Sequence, residues 1–255
     1  MIELNEIRQF LDEKYIQYNS KGFIENDPVF VPHQFDKKDD IEIAGFFSAI
    51  FAWGQRKTII SKSMELMRIM DYSPADFIVN ATPDEYKFFK NFVHRTFNYE
   101  DCIYFIKSLK NIYTKYKGIG NLIEKLYLTR KSVKETLIDF RRIFLSDNDT
   151  SRSVKHIADI SRNASGKRLN MFLRWMVRSE GPVDFGLWKN IPASSLYIPL
   201  DIHTGNISRK LGLICRKQND WRTVEELTAS LREFDCNDPV KYDFALFGLG
   251  ACENF

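Results

Sequence analysis

Apolar residues recur along most of this chain at the three- and four-residue spacing of an amphipathic α-helix. The pattern predicts a helix over residues 2–19 and a strongly apolar helix from Ile41 to about Trp53. No stretch alternates apolar and polar residues over the length of a strand, and the sequence shows neither repeats nor low-complexity tracts. We therefore expect an all-α fold of roughly a dozen helices.

Residues typical of helix ends divide this pattern into segments. Gly54-Gln55-Arg56 breaks the apolar helix, and helical spacing resumes from Thr58 to Met70. Thr82-Pro83 has the form of a helix start. Further helices are predicted over 73–79, 98–116, 121–127, 132–145, 153–160, 167–177, 202–211, 223–234 and 239–247. The segments 153–160 and 167–177, joined by the polar turn 161–166, predict a helix–turn–helix hairpin.

The length of 255 residues allows one large domain or two small ones that share an interface. We treat the chain as a single unit over residues 1–255, with two approximate subdomains. One is a helical bundle over residues 40–145, and the other is a hairpin-bearing part over 150–255 together with the N-terminal helix. The most linker-like stretch, residues 146–150, is short.

Charge is unevenly distributed along the chain. The formal net charge is only +3, yet residues 151–216 contain 11 Lys and Arg against 4 Asp and Glu. A basic face on a nearly neutral protein suits a phosphate backbone, although a solvated helix surface explains the same charges.

Several classes of protein are disfavoured by composition. The four cysteines show no CxxC pair, so we expect neither a zinc site nor an iron–sulfur cluster. His203 follows Asp201 by two residues, but no third ligand is evident, and no metal or other cofactor is expected. Neither a signal peptide nor an apolar run of membrane-spanning length is present. A bacterial cytoplasmic protein and a monomer are predicted.

Lys167 stands at the predicted start of a helix, directly after the turn that ends in Gly166. A helix N-terminus and the neighbouring Arg168 both disfavour a protonated amine, and a neutral amine is a nucleophile for Schiff-base formation. The same helix start, with its unpaired N–H groups, suits a phosphate. An ordinary surface lysine is the alternative interpretation.

Asp201 ends an apolar run, Ile198-Pro199-Leu200, immediately before another predicted helix. Its side chain is placed to cap that helix. Alternatively, or in addition, the carboxylate faces a positive charge that develops on a reacting sugar.

These two segments resemble the helix–hairpin–helix DNA glycosylases. The nearest similarity is to the archaeal 8-oxoguanine glycosylase branch, in which a lysine opens the second hairpin helix and an Ile-Pro-x-Asp-like segment carries an aspartate. The whole chain also resembles an uncharacterised bacterial family of the DUF2400 type within that superfamily. The segments that carry this likeness are 167–176, Pro-Leu-Asp-x-His at 199–203 and 238–246, and it covers most of residues 40–252.

The resemblance implies two helical subdomains with a cleft between them and a double-stranded DNA partner that contains a damaged base. Base-excision repair of an oxidised base such as 8-oxoguanine, with AP-lyase activity, would follow. Lys167 would be the nucleophile, and Asp201 would support the cation and proton transfers. The flipped base would meet Gln55, Trp53, His94 and Arg95, and Gly166, Arg168, Arg174 and Arg209 would hold phosphates.

The chain departs from the family pattern in its hairpin. The usual Leu-Pro-Gly-Val-Gly-x-Lys is replaced by Arg162-Asn-Ala-Ser-Gly-Lys167, and counting from Gly166 puts Arg168 in the lysine position. The apolar pattern that follows favours Lys167. A non-catalytic helical DNA-binding protein would keep the basic hairpin without a reactive amine. A nucleotide hydrolase would need paired carboxylates at metal spacing, which the sequence lacks.

Overall fold

The fold is helical throughout the residues that the computed structural model describes, which are 4–146, 152–253 and 255. Apart from two isolated bridges, these residues form no β-structure, which confirms the all-α prediction. None of their helices is long and apolar enough to cross a membrane. The α-helices are Leu4–Tyr18 (α1), Lys21–Ile24 (α2), Lys38–Phe51 (α3), Arg56–Ile69 (α4), Pro74–Asn80 (α5), Tyr99–Tyr116 (α6), Ile119–Arg130 (α7), Val133–Phe144 (α8), Lys167–Val177 (α9), Ile202–Lys210 (α10), Trp221–Phe234 (α11) and Tyr242–Ala251 (α12).

Side chains at the helix starts explain several of these boundaries. Asn98 Oδ1 accepts from the Asp101 amide at 3.4 Å, and the Asp101 carboxylate accepts from the Asn98 amide, so α6 begins with a reciprocal capping box. Ser132 caps α8 through the Glu135 amide, and Asp220 caps α11. Each cap satisfies backbone N–H groups that have no partner within the helix.

The chain divides into two compact units, of which the first comprises residues 1–25 and 159–255. In this unit α12 packs against both α1 and α10. The close approach of α1 depends on Gly248, because a Cβ atom there would collide with the ring of Tyr18. Every residue of α9 from Leu169 to Val177 is buried, so this helix forms the centre of the unit.

The second unit comprises residues 26–158 and is built around α3, which packs against α4, α5 and α7. All residues of α3 from Asp40 to Phe51 are buried. Its phenylalanines join those of α6 and α8 in a set of ring contacts that we call the aromatic core. The rings of this core are Phe46, Phe47, Phe51, Phe105, Phe140 and Phe144.

Two predicted helices are wrong in type. The start at Thr82-Pro83 leads only into a 3-10 turn, Glu85–Phe89, ahead of which the Glu85 carboxylate accepts from the amide and hydroxyl of Thr82. The first helix of the predicted hairpin is replaced by two 3-10 turns, Ser153–His156 and Ile160–Arg162. Residue 2 and residues 147–150 of the linker-like stretch lie outside the described residues.

Candidate functional site

The turn that precedes α9 is fastened to the start of α11. Asn163 has a left-handed backbone (φ 68°), and its carbonyl accepts from the Trp221 amide at 3.1 Å. Its side chain donates to Asp220 Oδ2 at 2.9 Å and accepts from the Arg222 amide. Gly166 is also left-handed (φ 65°), and a Cβ there would lie 3.0 Å from Ile160 Cδ1. Glycine is therefore required both by the turn and by the packing beneath it.

Lys167 and Asp201 meet at the mouth of α10. The Nζ atom of Lys167 lies 3.6 Å from Asp201 Oδ2, although the two residues are 34 positions apart in sequence. The other carboxylate oxygen, Oδ1, accepts from the Thr204 amide at 2.9 Å and caps α10. Asp201 thus caps a helix and faces a cation with one side chain. About a quarter of the Lys167 side chain and a fifth of the Asp201 side chain are exposed, so reagents can reach the pair.

A buried set of charges, which we call the ionic core, lies deeper in the same unit. Arg178 binds Asp184 Oδ2 and Asp238 Oδ2, both at 2.7 Å, and Arg174 binds Asp184 Oδ1 at 3.3 Å and also Asp243. The members of the ionic core are Arg174, Arg178, Asp184, Asp238 and Asp243. Burial opposes charge on Arg178, but Asp184 and Asp238 raise its pKa above its usual value.

The burial of Arg174 and Arg178 corrects the prediction of a basic face. Arg174 and Arg178, two of the basic residues of segment 151–216, are 3% and 1% exposed and are matched by carboxylates from the same unit. Their charge is therefore balanced inside the fold. The excess of positive charge in that segment does not translate directly into a surface for DNA.

The predicted phosphate contacts are revised residue by residue. Arg174 is enclosed by the ionic core, so its guanidinium is not placed to bind a ligand at the surface. Gly166 is buried, which makes it a residue of the turn and not an exposed amide. Arg209 uses its guanidinium to hold the Arg216 carbonyl and the Asn219 side chain. Arg168 is half-buried, and burial lowers its pKa to about 10, so it stays charged at neutral pH.

The second unit gathers three of the predicted base-pocket residues around Gly54. The guanidinium of Arg95 lies 4.7 Å from the ring centroid of Trp53. Gly54 has φ 119°, and a Cβ atom there would lie 2.8 Å from Arg95, so a side chain would disturb this stacking. Gln55 is exposed at the start of α4, and its side chain makes no capping bond. Trp53 itself is half-buried.

His94 does not belong with these residues as a pocket residue. It is 2% exposed, and its Nε2 donates to the Phe51 carbonyl at 3.0 Å. Its ring lies nearly perpendicular to that of Trp53, with the centroids 6.1 Å apart. The prediction that His94 meets a flipped base is therefore wrong, and the residue supports the loop that carries Trp53.

Metal-ligating side chains do not cluster in the described part of the chain: no group of three or more His, Cys, Asp or Glu could hold a metal ion there. The cysteines are unpaired, with Cys102 buried and Cys215, Cys236 and Cys252 exposed. The Nδ1 atom of His203 bonds to the Gly250 carbonyl at 3.1 Å.

Sequence reasoning missed Asp243 as a partner in this site. It is 6% exposed, and its charge interacts with Arg174, Asp201 and Lys167. Asp243 lies in the motif 238–246, whose spacing identifies a helix but not a partner for its carboxylate. The pairing with Arg174 spans 69 residues and depends on how α9 and α12 pack.

The fold and the site together define an all-helical protein of two units, with a lysine–aspartate pair at the meeting of two helix starts. A family model matches residues 27–252, which is most of the chain. The chain therefore belongs to that family, which is described as "Protein of unknown function (DUF2400)". Neither the curated proteins nor the solved structures compared with the chain give a match.

Proposed function

We propose that this protein is a DNA base-excision glycosylase with AP-lyase activity that removes an oxidised base such as 8-oxoguanine. The observation that carries the proposal is the 3.6 Å approach of Lys167 Nζ to Asp201 Oδ2, with Asp201 Oδ1 held by the Thr204 amide. A nucleophilic amine beside an oriented carboxylate is the arrangement that covalent base excision needs. The resemblance to helix–hairpin–helix glycosylases supports the choice of DNA as substrate.

In this mechanism Lys167 acts as an amine and Asp201 as a fixed negative charge. Nζ attacks C1′ of the damaged nucleotide, the N-glycosidic bond breaks, and the base leaves with its electron pair and is then protonated. Cleavage of the C1′–O4′ bond gives an imine between Lys167 and the opened sugar. Loss of the C2′ proton then expels the 3′ phosphate. Asp201 stabilises the positive charge at C1′ and exchanges protons with the amine.

The residues that this proposal assigns to DNA phosphates differ from those that the sequence suggested. Arg168 and the exposed Arg162 flank the turn before α9, and Arg222 follows Asp220 at the start of α11. These side chains are the ones we assign to phosphates, which position DNA without reading its sequence.

Borohydride trapping on duplex DNA with an 8-oxoguanine or an abasic site tests the proposal. The wild type is expected to give a covalent adduct, because borohydride reduces an imine to a stable amine. Lys167→Ala should abolish the adduct, and Asp201→Asn should slow its formation by roughly 10²-fold or more. Lys189→Ala, which removes an exposed lysine of the same unit, is the matched control and should trap like the wild type.

The outcomes separate this proposal from a non-catalytic DNA-binding protein. If the wild type binds both duplexes but forms no adduct on either, covalent catalysis by Lys167 is refuted and a binding role becomes the better account. An adduct that persists in Lys167→Ala would show that another amine is the nucleophile. Arg168→Ala is informative as well, since an arginine cannot form the imine and should affect binding more than trapping.

A further inference from the structure

The loop between α10 and α11 bonds to both of the segments that carry the candidate pair. We call residues 216–220 the bridging loop. On one side, Asn219 Nδ2 donates to the Asp201 carbonyl at 3.0 Å, at the start of α10. On the other side, Asp220 Oδ2 accepts from the Asn163 side chain at 2.9 Å, in the turn before α9. Because neighbouring residues of one loop make these two bonds, the loop connects the start of α10 to the start of α9.

Asn219 is itself held in place by a side chain of α10. The Arg209 guanidinium donates to Asn219 Oδ1 at 2.6 Å, and its Nε donates to the Arg216 carbonyl at 2.7 Å. Gly205 leaves the room for this arrangement, because a Cβ atom there would lie 2.7 Å from Asn219 Oδ1 and 2.9 Å from Arg209 Nη1. Both polar atoms of the Asn219 side chain are therefore bonded, and its position depends on the absence of a side chain at Gly205.

The bond from Asn219 acts on the residue that faces the lysine. The Asp201 carbonyl also accepts from the Gly205 amide at 2.9 Å, and Asp201 Oδ1 accepts from the Thr204 amide at 2.9 Å. Of these three donors, Asn219 is the one that lies outside α10. Together they fix Asp201 so that its second carboxylate oxygen, Oδ2, lies 3.6 Å from Lys167 Nζ.

We propose that Asn219, held by Arg209, is a positioning residue of this site, whose bond to the Asp201 backbone sets the approach of the Asp201 carboxylate to the Lys167 amine. The inference rests on the proposed function, because this approach matters for catalysis only where Lys167 is the nucleophile. A misplacement of about 1 Å can slow a reaction by about 10²-fold, so a bond that touches no reacting atom can still govern the rate.

The first measurement reports the contact between Lys167 and Asp201 in the whole protein without DNA. A carbodiimide activates a carboxylate, and an amine in contact with it displaces the activating group and forms an amide bond. Mass spectrometry of the digested protein quantifies this zero-length crosslink. The ion pair of Lys14 with Glu253 in the same unit, at 2.7 Å, serves as an internal reference. The ratio of the two crosslinks separates a change at the site from a loss of folding.

Two substitutions of Asn219 remove the bond to Asp201 in different ways. Asn219→Ala removes the side chain, whereas Asn219→Asp keeps its shape and an acceptor for Arg209 but cannot donate. Both should lower the Lys167–Asp201 crosslink by roughly threefold or more relative to the reference crosslink. Asn206→Ala, which removes an exposed asparagine of α10, is the matched control and should give the wild-type ratio.

Gly205→Ala breaks the same bond without changing Asn219. The added methyl group must displace the Asn219 or the Arg209 side chain, so the crosslink ratio should fall as it does in Asn219→Ala. Alanine is a better helix former than glycine. A merely structural role for this region therefore predicts a Gly205→Ala protein that is at least as stable in urea and has an unchanged crosslink ratio.

Borohydride trapping on duplex DNA with an abasic site is read separately. With protein in excess, the rate of adduct formation should fall by roughly tenfold in Asn219→Ala, since a misplaced carboxylate supports the reaction less well. The Kd for the same DNA should stay within about twofold of the wild type, because Asn219 acts on the chemical step and not on binding.

Several outcomes would overturn the inference. They are a wild-type crosslink ratio in Asn219→Ala and Gly205→Ala, an equal loss of both crosslinks, and a wild type that does not crosslink Lys167 to Asp201. If no protein traps DNA, the wild type included, but the crosslink falls selectively, the proposed function fails and the positioning role of Asn219 stands. If wild type and Asn219 variants trap equally fast with equal crosslink ratios, the inference fails and the proposed function stands.

Discussion

Each unit is built around one helix that is buried on nearly every side, and the two helices differ in what they bury. Helix α3 carries the aromatic core, where the Phe46 ring lies 5.3 Å from Phe144 and 6.0 Å from Phe105. Helix α9 carries Arg174 in its buried stretch and is followed by Arg178, and carboxylates from other parts of the unit neutralise both.

The difference concerns geometry more than stability. Apolar packing is non-directional and tolerates small shifts, whereas a buried ion pair requires its partners at hydrogen-bonding distance. Buried ion pairs also recover little net free energy, because both charges must be desolvated. Such pairs therefore fix the positions of charges, and one of these charges, on Asp243, interacts with Lys167 and Asp201.

Removing the central cation of the ionic core should have the largest effect on folding. Arg178→Met leaves Asp238 without its cationic partner and Asp184 with Arg174 alone, and we expect a loss of about 5 kcal/mol in the free energy of unfolding at pH 7. Urea denaturation measures this loss. Arg162→Met is the matched control in the same unit, because its side chain is 88% exposed, and it should change little.

This loss should depend on pH in a defined direction. Burial already raises the pKa of Asp238 above its usual value, and removing Arg178 raises it further. A carboxylate with a raised pKa penalises the folded state above that pKa, and protonation removes the penalty. The deficit of Arg178→Met should therefore shrink as the pH is lowered from 7 toward 5; a constant deficit would contradict an electrostatic origin.

Disrupting the aromatic core should lower the free energy of unfolding slightly less than Arg178→Met does, and the loss should not depend on pH. Phe46→Ala removes a fully buried ring, and large-to-small substitutions of this kind cost about 4 kcal/mol. Denaturation at pH 5 and pH 7 should give the same loss. The control is Phe88→Ala in the same unit, since Phe88 is 57% exposed. A loss below about 1 kcal/mol for Phe46→Ala would mean that the core repacks readily.

A buried carboxylate on α3 combines the two kinds of burial, because it places a charge in the unit that carries the aromatic core. Glu42 is fully buried and accepts from the Gly120 amide at 3.1 Å, at the start of α7, and from the Tyr113 hydroxyl. Glu42→Gln keeps the shape but removes the charge from these bonds, and we expect a loss of about 2 kcal/mol. The exposed Glu135→Gln should remain within about 0.5 kcal/mol of the wild type in the same denaturation experiment.

The smallest expected effect concerns a helix cap outside both cores. Ser132 Oγ accepts from the Glu135 amide at 3.3 Å at the start of α8, and Ser132→Ala should cost about 1 kcal/mol. Ser61→Ala, an exposed position inside α4, provides the comparison because it has no cap to lose. Equal unfolding free energies for the two variants would show that the Ser132 bond contributes nothing.

Much of the local structure follows from short-range patterns. Helix α9 begins at Lys167 and ends at Val177, as its apolar spacing predicts, and Asp201 caps α10 as its position before the helix suggests. Short-range rules succeed there because periodicity and caps depend on neighbours within a few residues. The same rules fail at 153–160, where 3-10 turns replace the predicted helix.

The sequence predicted only part of the candidate site. Lys167 and Asp201 stand at helix starts, which a sequence can identify, and their residue types indicate the chemistry. The sequence did not reveal the roles of Arg174 and His94, because each depends on partners distant in sequence. Arg174 meets Asp243 across 69 residues, and His94 meets the Phe51 carbonyl across 43.

The sequence by itself determined the helical class, most helix boundaries and the residues able to supply a nucleophile and a carboxylate. Tertiary structure alone decided which charges face solvent and which neutralise one another inside the fold. The physical reason is that helix formation is governed by local spacing, whereas the free energy of a charge depends on everything packed around it. Arg174, which the sequence presents as a cation available to DNA, is for that reason an internal partner of Asp243 and Asp184.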